Sequence, residues 1–348
     1  MVYKMKNVFL FLISFMAFSF AGVNELVQEG TEFHDKGKYD YAIAKYKEAE
    51  KLDPKSALVK YELGYSYYAK GDVKQALQFA KEAERLNQDP RLVESIASMV
   101  GTIYDAMKMP DSSLEAYKAG FAKAPHSYNI PFNAGVTCMG AKRDVEAAEW
   151  FVKATRNTKL HPSTYYYLTF VSENLGNWTD VFSYGMYSLL LTQKKDLMQN
   201  MLRILYQNSK GLVTVRAKDT ITMNLPKKSK KADLHDAFIL AYALANMDSL
   251  GNRKFYEKDT TSEQIAEYLA HMFKDAVELI AGFDESHYSN VLTPFYKGLV
   301  KENLVDAFVY TIVENADRSV YAKWRLIHAN DSKRFYDWIH AEFLKVKK

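Results

Sequence analysis

One cysteine, Cys138, stands among 348 residues. A single thiol closes no internal disulfide and removes cysteine-rich zinc sites from consideration. Histidine pairs are missing as well. The eight histidines are His34, His126, His161, His235, His271, His287, His328 and His340, and no two stand three or four apart, so no helix offers a two-histidine metal face. No glycine-rich phosphate loop and no Gly-x-Ser-x-Gly elbow occurs. Charge of one sign is scarce too. The formal net charge is +4, too little to imply nucleic acid, and no basic stripe with interleaved aromatics is present. These absences lead to the expectation of no metal, no cofactor and no nucleic-acid partner.

The start of the chain carries its own message. Lys4 and Lys6 precede an uninterrupted run of apolar and small residues from Val8 to Phe20, and Ser19 and Ala21 supply the small side chains that a signal peptidase reads. The expectation is a signal peptide over 1–21, cut between Ala21 and Gly22, and an exported (periplasmic or secreted) protein. The apolar run is short of the ~20 residues that a spanning helix needs. No cysteine adjoins the cut to carry a lipid. Removing the segment leaves a net charge near +2.

What is present is a repeat. Gly30, Gly37, Ala42 and Ala49 return as Gly64, Gly71, Ala76 and Ala83, each 34 residues later. A fixed period of that size marks stacked supersecondary units. Within the first unit, Leu26, Gly30 and Phe33 share one helical face, and Lys36-Gly37-Lys38 breaks the helix. Tyr39, Ala42, Tyr46 and Ala49 then line a second helix that Asp53-Pro54 ends. Small residues stand where two helices approach closely, with aromatics beside them. Asp89-Pro90 arrives two residues late in the second unit. Three further units can be traced with Gly101, Tyr104 and Tyr117, then Gly135, Ala147, Phe151 and Ala154, then Leu168, Gly176 and Trp178.

This pattern resembles the tetratricopeptide repeat (TPR) family over roughly residues 23–191. The resemblance implies an all-α solenoid of helix–turn–helix units, whose first helices line a face that holds an extended peptide or a partner helix. Carried onto this chain, the groove positions are Tyr61, Tyr65 and Tyr68, then Phe132 and Asn133, then Tyr166 and Phe170. Aromatics supply large contact area at low entropic cost, and tyrosine keeps a polar handle. Members that clamp a C-terminal carboxylate place lysine, arginine and asparagine at set positions. Here Val27, Thr31, Glu62, Ser95 and Met99 stand there, so that mode is not expected.

Beyond Lys194 the period ends. Residues 196–208 read as a helix, and alternation over 211–225 predicts a small β-hairpin turning at 217–219, followed by a basic connector at 226–231. Helices are expected near 233–248, 261–281, 288–300, 301–314, 317–328 and 331–346. The expected organisation is therefore a solenoid of about five units over 22–194, a connecting stretch over 195–232 and a helical domain over 233–348. The functional expectation is a non-catalytic scaffold that captures a protein or peptide. Two alternatives stand beside it: an enzyme with an active site in 196–348, and a carbohydrate- or wall-associated binding scaffold. Asp284-Glu285-Ser286-His287 holds the residue types of a hydrolytic triad, but sequence neighbours do not converge on one substrate atom. Cys138 reads as a small buried hydrophobe.

Overall fold

The structure, a computed structural model, describes residues 22–158, 161–192, 194–217, 220–223, 262–282, 292–314 and 318–342. The expected signal segment, the connector at 226–231, the helix at 233–248 and the Asp284–His287 run lie outside the described residues. Among those described, no helix is long and apolar enough to cross a membrane. Contacts divide the chain into two compact units, Met1–Arg143 and Asp144–Lys348.

The first unit is built of helix pairs. Helix α1 covers residues 22–35, and α2 Tyr39–Leu52, α3 Ala57–Lys70, α4 Val73–Leu86, α5 Val93–Ala106, α6 Pro110–Lys123 and α7 Asn129–Gly140 follow. Side chains cap two of the helix starts. Ser56 Oγ accepts from the Val59 N–H at 3.3 Å, and Asp72 accepts from the Gln75 N–H at 3.1 Å, each satisfying an orphan donor of the first turn. The turn inside each pair is one conformation used repeatedly. Gly37, Gly71, Lys108 and Lys142 all take a left-handed φ, between +58° and +91°. At each, the next N–H reaches back across the helix end: Lys38 to Phe33 O, Asp72 to Tyr67 O, Met109 to Tyr104 O and Arg143 to Cys138 O. This is the Schellman closure, which satisfies carbonyls that a helix end leaves open.

Glycine on the first helix of a pair admits a ring from the second. A Cβ on Gly30 would collide with the Tyr46 ring, and one on Gly101 with the ring of Tyr117. Both rings are buried, and their hydroxyls reach the adjacent threonines, Tyr46 to Thr31 at 3.2 Å and Tyr117 to Thr102 at 3.1 Å. In the middle pair Ala80 replaces the tyrosine, and a Cβ on Gly64 would stand 3.2 Å from the Ala80 backbone N and 3.2 Å from Met99 Cε. Charge adds a pin between pairs. Lys60, buried on α3, holds Glu50 of α2 at 2.6 Å and Glu82 of α4 at 2.5 Å.

The second unit opens with α8 (Asp144–Asn157), α9 (Pro162–Asn174) and α10 (Trp178–Leu191). The α9–α10 turn repeats the device, with Gly176 at φ +69° and Asn177 N–H donating to Ser172 O. Helix α11 runs Lys195–Leu212 and passes into β1 (Val213–Ala217), which pairs antiparallel with β2 (Thr220–Met223). The hairpin is thus present, but Gly211 and Leu212 belong to the helix rather than the strand. Then come α12 (Ser262–Gly282), α13 (Thr293–Lys301), α14 (Val305–Val313), α15 (Arg318–Ile327) and α16 (Ala329–Glu342).

Helix α10 lies at the centre of the second unit. All residues from Thr179 to Leu189 but Asp180 are buried, and a helix apolar on every side must be covered on every side. It packs on α9, α11, α12 and α14. Tyr296 on α13 donates to its Ser183 O at 2.5 Å, and Phe295 meets Tyr187 edge to face at 5.0 Å. The last repeat is therefore the centre of the C-terminal core. The α13–α14 turn, with Asn303 at φ +52° and Leu304 N–H donating to Leu299 O, is the same closure where the sequence shows no period.

The close contact at Gly64 is directly testable. Gly64→Leu adds a branched side chain against backbone at 3.2–3.3 Å, and overpacking of this kind costs roughly 1–3 kcal/mol or more. The thermal midpoint should fall by about 5 °C or more, and an unchanged midpoint would place Gly64 away from a helix crossing.

Candidate functional site

The first helices of successive pairs present one face each. On α3 the spacing of Tyr61, Tyr65 and Tyr68 is four and then three, which puts all three on one side. Glu94, Ser98 and Thr102 do the same on α5, flanked by Ser95 and Met99, and Asn129 and Asn133 do so on α7. Together these ten residues line a cleft of about 290 Å³. Its floor is ordered by aromatic stacking. The Tyr61 and Tyr65 rings lie 6.1 Å apart at an interplanar angle of 7°, and Tyr65 stacks on His34 of α1 at 4.6 Å. His34 is fixed in turn by a 2.8 Å hydrogen bond between its Nδ1 and Ser66 Oγ. Tyr65 is nonetheless 44 % exposed.

The electrostatics of this face are one-sided. Glu62, next to Tyr61, is desolvated by burial and lies near the charge of Asp35, so its pKa is raised to about 7. The Tyr46 hydroxyl donates to it at only 3.4 Å, a bond too long to offset the burial. Burial lowers the His34 pKa, against the pull of Asp35. Glu94 accepts a hydrogen bond from Asn129 Nδ2. Among the described residues no lysine or arginine lines the cleft.

The expected groove residues fall into three places. Tyr61, Tyr65, Tyr68 and Asn133 meet in the cleft. Phe132 is outside its lining and stacks on Tyr128 at 5.4 Å. Tyr166 and Phe170 lie on α9 of the second unit, half-buried and edge to face at 5.0 Å, with Tyr166 Oη accepting from Asn200 Nδ2 at 3.0 Å. The contribution of α5 is what a search for aromatics overlooks. Glu94, Ser98 and Thr102 carry the helical spacing but none of the ring chemistry. Among the described residues no group of three or more His, Cys, Asp or Glu could hold a metal ion.

A family profile described as TPR repeat matches residues 30–89, the stretch that carries the two pairs in exact register. These residues are TPR repeats. Several solved TPR structures align with about half of the chain. YrrB, described as a TPR protein with an unusual peptide-binding site, shares 17 % identity with a TM-score of 0.41, covering 53 % of this chain and 90 % of that one. For pilF of Pseudomonas aeruginosa the values are 15 %, 0.48, 55 % and 86 %. A thermophilic TPR protein of Thermus thermophilus gives 16 %, 0.42, 53 % and 99 %. No curated protein sequence matches the chain.

The raised Glu62 pKa has a sign that can be checked. A carboxyl whose folded pKa lies above its unfolded value, 4.5 against about 7, favours the fold when protonated. That contribution is complete below the unfolded value and is lost as pH rises through about 7. It amounts to at most roughly 3 kcal/mol. Glu62→Gln should therefore raise the thermal midpoint at about pH 8 and converge with the wild type near about pH 5. Parallel curves for the two proteins would show that Glu62 is solvated.

Proposed function

We propose that this TPR protein is an exported scaffold that holds an extended segment of a partner protein or peptide in the cleft of α3, α5 and α7. The observation that carries the reading is the ring column of Tyr61 and Tyr65, ordered by His34 yet open to solvent at Tyr65. A ring stacked in advance has little rotamer entropy left to lose when a ligand covers it. The adjoining α5 and α7 rows offer hydroxyls and amides suited to the backbone of an extended segment, and tyrosine-rich contacts are those where binding energy concentrates. The proposed role is to hold, not to convert.

Export rests on Lys4, Lys6, the apolar run to Phe20 and the small residues Ser19 and Ala21. N-terminal sequencing of secreted or periplasmic material should read from Gly22. Recovery of a full-length form starting at Met1 from the membrane fraction would overturn export.

Binding is tested by replacing Tyr61, Tyr65 and Tyr68 together with alanine. All three are half-buried or more exposed, so helicity measured by circular dichroism should persist while capture is lost. Each truncated hot-spot ring typically costs about 2 kcal/mol or more. A folded triple variant that still captures its partner at wild-type strength would remove this cleft as the binding site.

A further inference from the structure

We infer that the segment held in this cleft carries a lysine or arginine, seated against the Tyr61 and Tyr65 rings with Glu94 as its counter-charge. The inference rests on the proposed peptide-holding role and specifies the chemistry of the occupant.

Charge is what selects it. The chain as a whole has a net charge of +4, yet the cleft and its rim carry the opposite sign. Glu94 lies in the lining, and Asp35 flanks the ring column from α1. Among the described residues neither of these two carboxylates makes an ion pair. Several cations of the unit are committed elsewhere: Lys45 to Glu29, Lys60 to Glu50 and Glu82, Lys70 to Asp40, and Arg143 to Asp111.

Geometry agrees with charge. A cation over a tyrosine face is attracted by the ring quadrupole, and more strongly where water is displaced. Tyr61 and Tyr65 stand parallel in the lining, and Tyr65 is exposed. A carboxylate on the facing helix supplies the charge-assisted hydrogen bond that fixes the head group. The Ser98 hydroxyl, also in the lining, is buried without a hydrogen-bond partner, an unsatisfied group that the backbone of an incoming segment would satisfy. An anionic segment meets none of these terms, since among the described residues no lysine or arginine lines the cleft.

The test is selection of a displayed library of short random peptides against the full chain, counter-selected with the Tyr61→Ala, Tyr65→Ala, Tyr68→Ala triple variant. Peptides that survive should be enriched in lysine or arginine. Replacing that residue by glutamine in a labelled peptide should weaken binding about tenfold or more, as should Glu94→Gln in the protein, and the loss should shrink at high salt. Survivors without enrichment in lysine or arginine, or indifferent to Glu94→Gln, would overturn the cationic occupant and leave the peptide-holding role standing. If no peptide survives, or those enriched bind the triple variant equally, that role fails and the inference fails with it.

Discussion

The close approach of two helices at a glycine is the constraint on which the first unit depends. At Gly30 and Gly101 a tyrosine of the second helix lies where a side chain would otherwise stand, and at Gly64 the backbone of the second helix does so. Each contact uses up one face of the first helix. The remaining face of α3 is then free to carry Tyr61, Tyr65 and Tyr68, and that of α5 to carry Glu94, Ser98 and Thr102. The binding face is thus a consequence of how the pairs pack. Even the local electrostatics follow from it, since the buried Tyr46 hydroxyl extends toward Thr31 and Glu62.

The second device is the turn. One left-handed residue followed by one backward N–H bond joins the helices of each pair, and the device survives a change of residue. Glycine adopts positive φ at Gly37, Gly71 and Gly176 without steric cost, whereas Lys108 and Lys142 hold it at roughly 1–2 kcal/mol each. The closure persists because the carbonyls it satisfies would otherwise be left open at every helix end. Lys60 acts on a larger scale, tying α3 to both neighbours through Glu50 and Glu82. Removing it would leave two acids facing each other, so the pin is worth more as register than as bare attraction.

The two compact units use the same elements for different ends. In the first, the helix faces left over by packing remain open and chemically mixed, with rings, hydroxyls, amides and acids. In the second, α10 is enclosed by its neighbours and its tyrosines become core. Tyr184, Tyr187 and Tyr296 all have pKa values pushed up by burial, and Tyr296 spends its hydroxyl on Ser183 O. Aromatic richness alone therefore does not distinguish a groove from a core.

The sequence by itself determined the helical pairs, their 34-residue period, the glycines at the helix crossings and the tyrosine row of α3. All are local facts, written in spacing that a helix of 3.6 residues per turn converts into faces. The hairpin pairing of Val213–Ala217 with Thr220–Met223 was legible for the same reason, because alternation is also local. Only the tertiary structure decided that Asn133 joins the tyrosines while Phe132 turns to Tyr128, and that polar α5 completes the cleft. It alone showed Glu62 buried enough to hold its proton near neutrality, and α10 covered on every side, drawing the last repeat into the C-terminal core. The turn at Asn303, which copies the repeat closure without its sequence, belongs here too. Each of these depends on what packs against a residue from elsewhere in the chain, and spacing along one helix carries no record of that.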